Sequence, residues 1–344
     1  MIHDDVCDPA TRGVFDVAVP ELEKRGLHAG FGVIVSACDD HGWEVVRRLV
    51  AHGHDVFSHS WDHPCLTKNK ELAESCDPKA PRSVDFEGEI GRAATRLTAA
   101  TGRAPDFFIF PYDVCDPAAI AYLKAHGFLA ARCGEPGTNG SDWNDPFAIR
   151  FDVYGPSYSK FFGATPCQHT ARGATPAQYT TPPADYSDGC RRYVLDNYVD
   201  EAIAAGGWAV RELHGLDPAD PKGWETVAVA DYRAHLDRLA ERVAAGALWV
   251  AGPTEVTRYR FARDPAVCAP PRVVDGHVLR FAAPTPECRR FATVLSWRVA
   301  TLDGSDPRTL VAEQGGQRRP ARRLGPGRYV VDADPTAGDA RLVP

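Results

Sequence analysis

At 344 residues, with 44% hydrophobic and 25% charged side chains, the chain has the make-up of an ordinary folded protein, which sets aside disorder and coiled coil. Its length suits one large domain with one small one. A formal charge of −7 with no basic run argues against a nucleic-acid partner, and no apolar stretch is long enough to span a bilayer.

The chain opens Met1-Ile2-His3-Asp4-Asp5. An acid pair that ends a strand would leave about two residues of it, against a usual five or six, so upstream residues with a signal peptide are expected. From residue 28 to residue 250 short apolar segments alternate with amphipathic ones. Strands are predicted at His28–Val35, Asp55–Ser58, Phe107–Phe110, Phe128–Arg132, Ala148–Phe151, Trp208–Leu213 and Leu248–Val250. Helices are predicted at Trp43–His52, Phe86–Ala100, Ala118–His126, Arg192–Ala205 and Asp231–Ala244, with Asp39-Asp40 capping the first of them. Gly53, Gly102, Gly127 and Gly246 fall where helices should end. Such alternation predicts a parallel α/β sheet or barrel.

The stretch Gly134–Gly189, rich in Gly, Pro, Thr, Ser and Tyr, reads as long loops over one face, and loops of that length inside a domain usually carry function. Beyond residue 262 helical patterns stop. Short alternating runs at Val278–Ala282, Thr293–Trp297 and Tyr329–Val331 suggest a small β-sandwich-like domain over 263–344, after a larger domain over 1–262.

Ten cysteines, none in a CxxC pair, fit neither zinc ribbon nor finger and are read as disulfides of an exported protein, secreted, cell-surface or periplasmic. Cys65 with Cys76, Cys167 with Cys190 and Cys268 with Cys288 are close enough in sequence to pair. Cys7 and Cys115 sit in an echoed Asp-Val-Cys-Asp-Pro segment and are expected to bridge if their loops are neighbours.

Three segments concentrate reactive groups. Asp4-Asp5 is weak alone, because adjacent acids more often cap helices or lie in solvent. His59-Ser60-Trp61-Asp62-His63-Pro64 directly follows a predicted buried strand, and two imidazoles on one turn plus a carboxylate give three ligands for a cation. The helical protease motif HExxH is excluded, since Ser60 replaces its glutamate and Pro64 does not suit a continuing helix. The third is Trp208–His214, a buried strand ending in a lone histidine; barrel sites collect residues from such strand ends.

In this order, Asp4-Asp5, His59-Ser60-Trp61-Asp62-His63, Ile109-Phe110-Pro111-Tyr112 and Arg211-Glu212-Leu213-His214 resemble the motifs of the polysaccharide deacetylase family, also called NodB-homology or carbohydrate esterase family four. The resemblance spans roughly the first 260 residues. It implies a distorted (β/α) barrel, with the C-terminal β-rich domain appended, and removal of acetyl groups from a carbohydrate. The implied substrate is an N-acetylglucosamine glycan of chitin or peptidoglycan type; acetylated xylan, or binding without catalysis, are the alternatives. It further implies a divalent metal, zinc first, held by Asp5, His59 and His63. Asp4 would be the base, His214 the acid and the Tyr112 backbone N–H an oxyanion donor, while Asp142 beside Trp143 would tune the histidine. Trp224 is expected as a sugar platform, and Trp61, Tyr154, Tyr158 and Tyr179 as further loop aromatics, mostly packing. The sequence departs from the family at Ile109, where an arginine normally orients the base, leaving Arg132, Arg150 or Arg211 to do so. It also departs at Ile2-His3, Val6-Cys7 and Arg211.

Overall fold

The computed structural model describes residues 1–141, 145–153, 198–224, 226–300 and 306–344. It divides into two compact units, Met1–Thr254 and Glu255–Pro344. The helix Pro253–Ala262, placed with the barrel by its sequence, falls almost entirely in the second unit.

In the first unit seven strands form a closed barrel: β1 (Ile2–Val6), β2 (Gly30–Val33), β3 (Asp55–Ser58), β4 (Phe107–Ile109), β5 (Ala130–Pro136), β6 (Ile149–Val153) and β7 (Arg211–Leu213). Every neighbouring pair is parallel, and β7 closes back onto β1. Parallel strands covered by helices are buried on both faces, which explains their continuous apolar runs, such as the wholly buried Gly30–Val33. Ile2, Phe57, Phe107, Ile109, Ala130, Ile149, Phe151 and Val210 form one buried cluster contributed by strands around the ring. A larger cluster sits where Val33, Trp43, Val46, Leu49, Leu213, Leu236 and Leu239 meet.

The helices follow the sequence signals. Asp40–Ala51 buries Trp43, Val46 and Leu49 on one face, and Asp39 caps it by accepting from the Gly42 N–H at 2.8 Å. Gly102 ends Arg92–Thr101 at φ 73°, a left-handed position where a side chain would be strained. Pro117–Ala125 and Val229–Ala244 lie at the predicted places, and of the Arg192–Ala205 pattern residues 198–205 are described, 198–204 of them as helix.

Two strand expectations fail. Leu248–Val250 is not a strand; three apolar residues do not distinguish a strand from a packed connection. β1 is five residues long rather than two, because Asp4 and Asp5 lie inside it.

In the second unit the strands are β8 (Arg272–Val274), β9 (Val278–Arg280), β10 (Leu295–Ala300), β11 (Val311–Gln314), β12 (Gln317–Pro320), β13 (Arg322–Gly325), β14 (Arg328–Ala333) and β15 (Ala340–Val343). They make a five-stranded sheet, β8-β9-β15-β11-β12, and a three-stranded sheet, β10-β14-β13, with antiparallel pairing throughout. Leu279, Ala312 and Leu342 of one sheet meet Tyr329, Val331 and Ala333 of the other in a shared core. Helical structure does recur after residue 262: Pro286–Arg290 is a short helix capped by Thr285.

Four disulfides are present among the described residues: Cys7–Cys38, Cys65–Cys76, Cys115–Cys133 and Cys268–Cys288. The second and fourth are the expected pairs. The Cys7–Cys115 bridge is overturned, since each of these cysteines takes a partner on an adjoining strand or loop; Cys167 and Cys190 lie outside the described residues.

Candidate active site

The C-terminal ends of β1, β3, β4 and β7 gather the reactive groups, and the backbone there is bent to do it. Of seven non-glycine residues with positive φ among the described residues, six are Asp5, Cys7, Ser60, His63, Tyr112 and Asp113. Each occupies a sparsely populated backbone region that persists only where the surroundings enforce it. At Asp5 (φ 55°) β1 loses regular register with β2 between His3 and Val6. The two adjacent acids therefore meet different partners.

Asp5 meets the histidines. Its Oδ1 lies 3.3 Å from His59 Nε2 and 3.4 Å from His63 Nε2, and the two Nε2 atoms are 3.0 Å apart. His59 Nδ1 is 3.0 Å from the Ile109 carbonyl; donating there leaves Nε2 as a free lone pair aimed at the cluster. The His63 N–H donates to Ser60 Oγ at 2.9 Å. Glu89 holds the same turn from outside, its carboxylate accepting the N–H groups of Trp61 and Asp62 at 3.2 and 3.0 Å. Burial, with His59 close by, lowers the His63 pKa to about 4, so the ring is neutral near pH 7. Burial opposes ionisation of Asp5, but the adjoining His59, His214 and His63 hold its carboxyl far below the usual range.

Asp4 meets an arginine. Arg132 Nη1 lies 2.7 Å from Asp4 Oδ2 and 3.0 Å from Glu212 Oε2, while Nη2 donates to Asp113 Oδ1 at 2.6 Å. Asp4 and Arg132 are each 1% exposed. The origin of this arginine is readable in the strand register: Ile109 of β4 pairs directly with Arg132 of β5. The guanidinium expected at position 109 thus arrives from the next strand at the same height, and of the three candidate arginines it is Arg132 that is ion-paired with Asp4. Burial opposes the charge on Arg132, but Asp4, Glu212 and Asp113 raise its pKa above the usual value.

His214 follows β7, with Nε2 3.3 Å from Glu212 Oε1 and 3.9 Å from Asp5 Oδ2. Glu212 therefore joins Arg132 to His214. Burial raises its pKa well above the usual range against the pull of Arg132. Glu212, Asp113 and Glu89 were not anticipated. A carboxylate at an interior position of the buried Arg-Glu-Leu-His strand was an available signal for Glu212; nothing local marks the other two.

The remaining expected residues divide. Trp224, 46% exposed, sets its ring edge-on against His214 with centroids 4.4 Å apart. The Tyr112 ring lies 4.8 Å from that of His63. Trp61 is stacked under the Arg92 guanidinium at 3.8 Å and packs on the core, consistent with a structural role. Asp142, Trp143, Tyr154, Tyr158 and Tyr179 lie outside the described residues.

The Asp5–His59–His63 cluster fits a divalent cation. Separations of 3.0–3.4 Å between donors match the edges, about 3.3 Å, of a tetrahedron with zinc–ligand bonds near 2.0–2.1 Å. Two imidazole nitrogens facing each other need a cation or a proton between them, and Asp5 Oδ1 is buried without a hydrogen-bond partner. Three other carboxylates, those of Asp4, Asp113 and Glu212, share the single guanidinium of Arg132, which leaves Asp5 to the histidines. The similar grouping of Asp4, Glu212 and His214 already has Arg132 as its positive charge.

The sequence model of the family described as polysaccharide deacetylase matches residues 3–131, from β1 into β5. Among solved structures, the chain is similar to the Xyl-CE4 domain of a multidomain xylanase from the hindgut metagenome of Trinervitermes trinervoides (14% identity, TM-score 0.39, covering 74% of this chain and 86% of that one). It is similar to the peptidoglycan deacetylase PdaC from Bacillus subtilis (15%, 0.38, 70% and 82%). A family 4 carbohydrate esterase from Streptomyces lividans is a third (18%, 0.38, 73% and 89%). Over residues 3–131, which include Asp4, Asp5, His59 and His63, the chain is similar to the polysaccharide deacetylase family.

Proposed function

We propose that the protein is a metal-dependent hydrolase that removes acetyl groups from a carbohydrate, with N-acetylglucosamine glycan as the first substrate class. The observation that carries this reading is the buried Asp4–Arg132 ion pair beside the Asp5–His59–His63 cluster, a held base next to a cation site. Asp5, His59 and His63 would hold the metal, with zinc favoured by the two imidazoles and the donor spacing. When bound, such a cation polarises the acetyl carbonyl and lowers the pKa of water in the site.

The chain's own groups do the rest. Asp4, fixed by Arg132, takes a proton from the attacking water. His214, braced by Glu212 on one side and Trp224 on another, gives a proton to the departing nitrogen or oxygen, so acetate and a free amine or hydroxyl result. The Tyr112 N–H is assigned to the developing oxyanion, Trp224 to the face of a sugar ring, and Asp142 to tuning of His214. Ile109 by itself would favour a binding protein without activity; Arg132 supplies what Ile109 lacks. The four disulfides support a secreted or cell-surface location, and among the described residues no helix is long and apolar enough to cross a membrane.

The test is acetate release by zinc-loaded protein from chitin oligomers and from acetylated xylan, beside Asp4→Asn. Release that is abolished by chelator and falls by about 100-fold or more in the variant is expected. The preferred polymer distinguishes amide from ester cleavage. No release from either polymer, with one zinc bound per chain, would replace the hydrolase reading with that of a carbohydrate-binding protein.

A further inference from the structure

The whole-chain charge of −7 conceals an uneven distribution. Residues 255–344 contain fifteen arginines, no lysine and ten carboxylates, a formal charge of +5; residues 1–254, with twenty-four basic and thirty-six acidic side chains, carry −12. A preference for arginine over lysine recurs across the chain, but it does not by itself sort acids into one unit and bases into the other.

The sheet register shows where part of this charge goes. Arg298 of β10 and Arg322 of β13 both pair with Val330 of β14, one from each side, so the three side chains leave the same face of the sheet. Arg328, two residues before Val330 on β14, shares that face, opposite Ala300. All three arginines are exposed, and none makes an ion pair or hydrogen bond among the described residues. Other arginines of the unit are engaged: Arg280 with Asp339, Arg318 with Glu313, Arg323 with Asp306. The carboxylate on the same face, Asp332, accepts from the Ser296 hydroxyl at 2.7 Å. Like charges gathered on one sheet face repel one another, a cost that a bound polyanion would reverse.

We propose that this outer face of β10-β14-β13 binds a carboxylated polysaccharide. Guanidinium forks match carboxylates in a planar, two-bond geometry. Strands stand about 4.8 Å apart, so Arg298 and Arg322 are rooted about 10 Å from each other, with the apolar Val330 and Ala300 among them to meet the C–H faces of sugar rings. Trp297 and Tyr329 alternate onto the opposite face, into the shared core, which leaves nucleic-acid bases no stacking platform here. Each exposed contact is weak, but a polymer that repeats its carboxylate engages several at once. The barrel, at −12, offers such a polymer no comparable attraction. This inference rests on the second unit alone and stands or falls independently of acetyl hydrolysis.

Affinity electrophoresis of the full chain through gels containing polygalacturonate, and through gels containing its fully methyl-esterified form, tests it. The wild-type chain should be retarded by the free acid and not by the ester. Arg298→Gln/Arg322→Gln/Arg328→Gln should weaken retardation about tenfold. Arg272→Gln/Arg289→Gln/Arg341→Gln, which removes the same charge from other exposed positions of the unit, should weaken it less than about twofold. Circular dichroism melts establish that both variants are folded. Equal losses in the two variants, no loss in the first, or equal retardation by the ester would each overturn the proposal.

Discussion

Arg132 is a fully buried cation contacted by three carboxylates, and the consequences of altering it separate stability from catalysis. Arg132→Met leaves Asp4, Glu212 and Asp113 without their counter-charge and should cost about 3–5 kcal/mol in urea unfolding. Arg132→Lys keeps the charge, but a single ammonium cannot hold three carboxylates in fixed directions. It should stay folded while kcat/KM for acetate release falls roughly 10- to 100-fold. Unchanged kcat/KM in the lysine variant would mean that the shape of the guanidinium is not used. The sequence showed that Arg132 ends a buried strand, and it showed Asp4 and the His59–His63 pair by their spacing. What Arg132 faces was hidden, because the Ile109–Arg132 pairing joins residues on separate strands.

At the level of elements, three of the four disulfides among the described residues fasten the strand ends that bear the site. Cys7 lies two residues after Asp5, Cys65 two after His63, Cys115 two after Asp113, and Cys133 adjoins Arg132. Replacing Cys115 and Cys133 together with alanine should lower stability by about 3 kcal/mol and reduce activity as the loop after β4 loosens. Peptide mapping without reduction should recover Cys7 joined to Cys38 rather than to Cys115. Pairings over short separations, 11 residues for Cys65–Cys76 and 20 for Cys268–Cys288, were accessible because neighbouring cysteines in loops have few alternatives. The echoed Asp-Val-Cys-Asp-Pro segments misled for a topological reason: both follow barrel strands, but β1 lies between β7 and β2, whereas β4 lies between β3 and β5. Helix boundaries were easier, since Asp39 and Gly102 act within one turn of chain.

For the whole molecule, acid should be destabilising through histidines remote from the site. His54, packed edge-on to Phe31, has its pKa lowered to about 4, and His235, on the buried face of the helix Val229–Ala244, to about 3, both chiefly by burial. The unfolded chain takes up protons at these rings near pH 6.5 while the folded chain does not. Stability is therefore greatest above that pH and falls as pH drops toward the folded values, by up to about 1.4 kcal/mol per pH unit for each ring. Urea midpoints at pH 7.5, 6 and 5 should decline in that order, less steeply in His235→Phe. A flat series would mean that these rings protonate in place. The six left-handed residues at the barrel mouth set a different limit on stability. At about 1–3 kcal/mol each, relaxing them all would release an amount comparable with the entire net stability of an ordinary domain. Glycine at Ser60 or Tyr112 should therefore score well in any screen that rewards heat resistance alone. Selecting such a library for thermostability would steadily enrich sturdier proteins with poorer mouths, so a useful screen must demand product at every round.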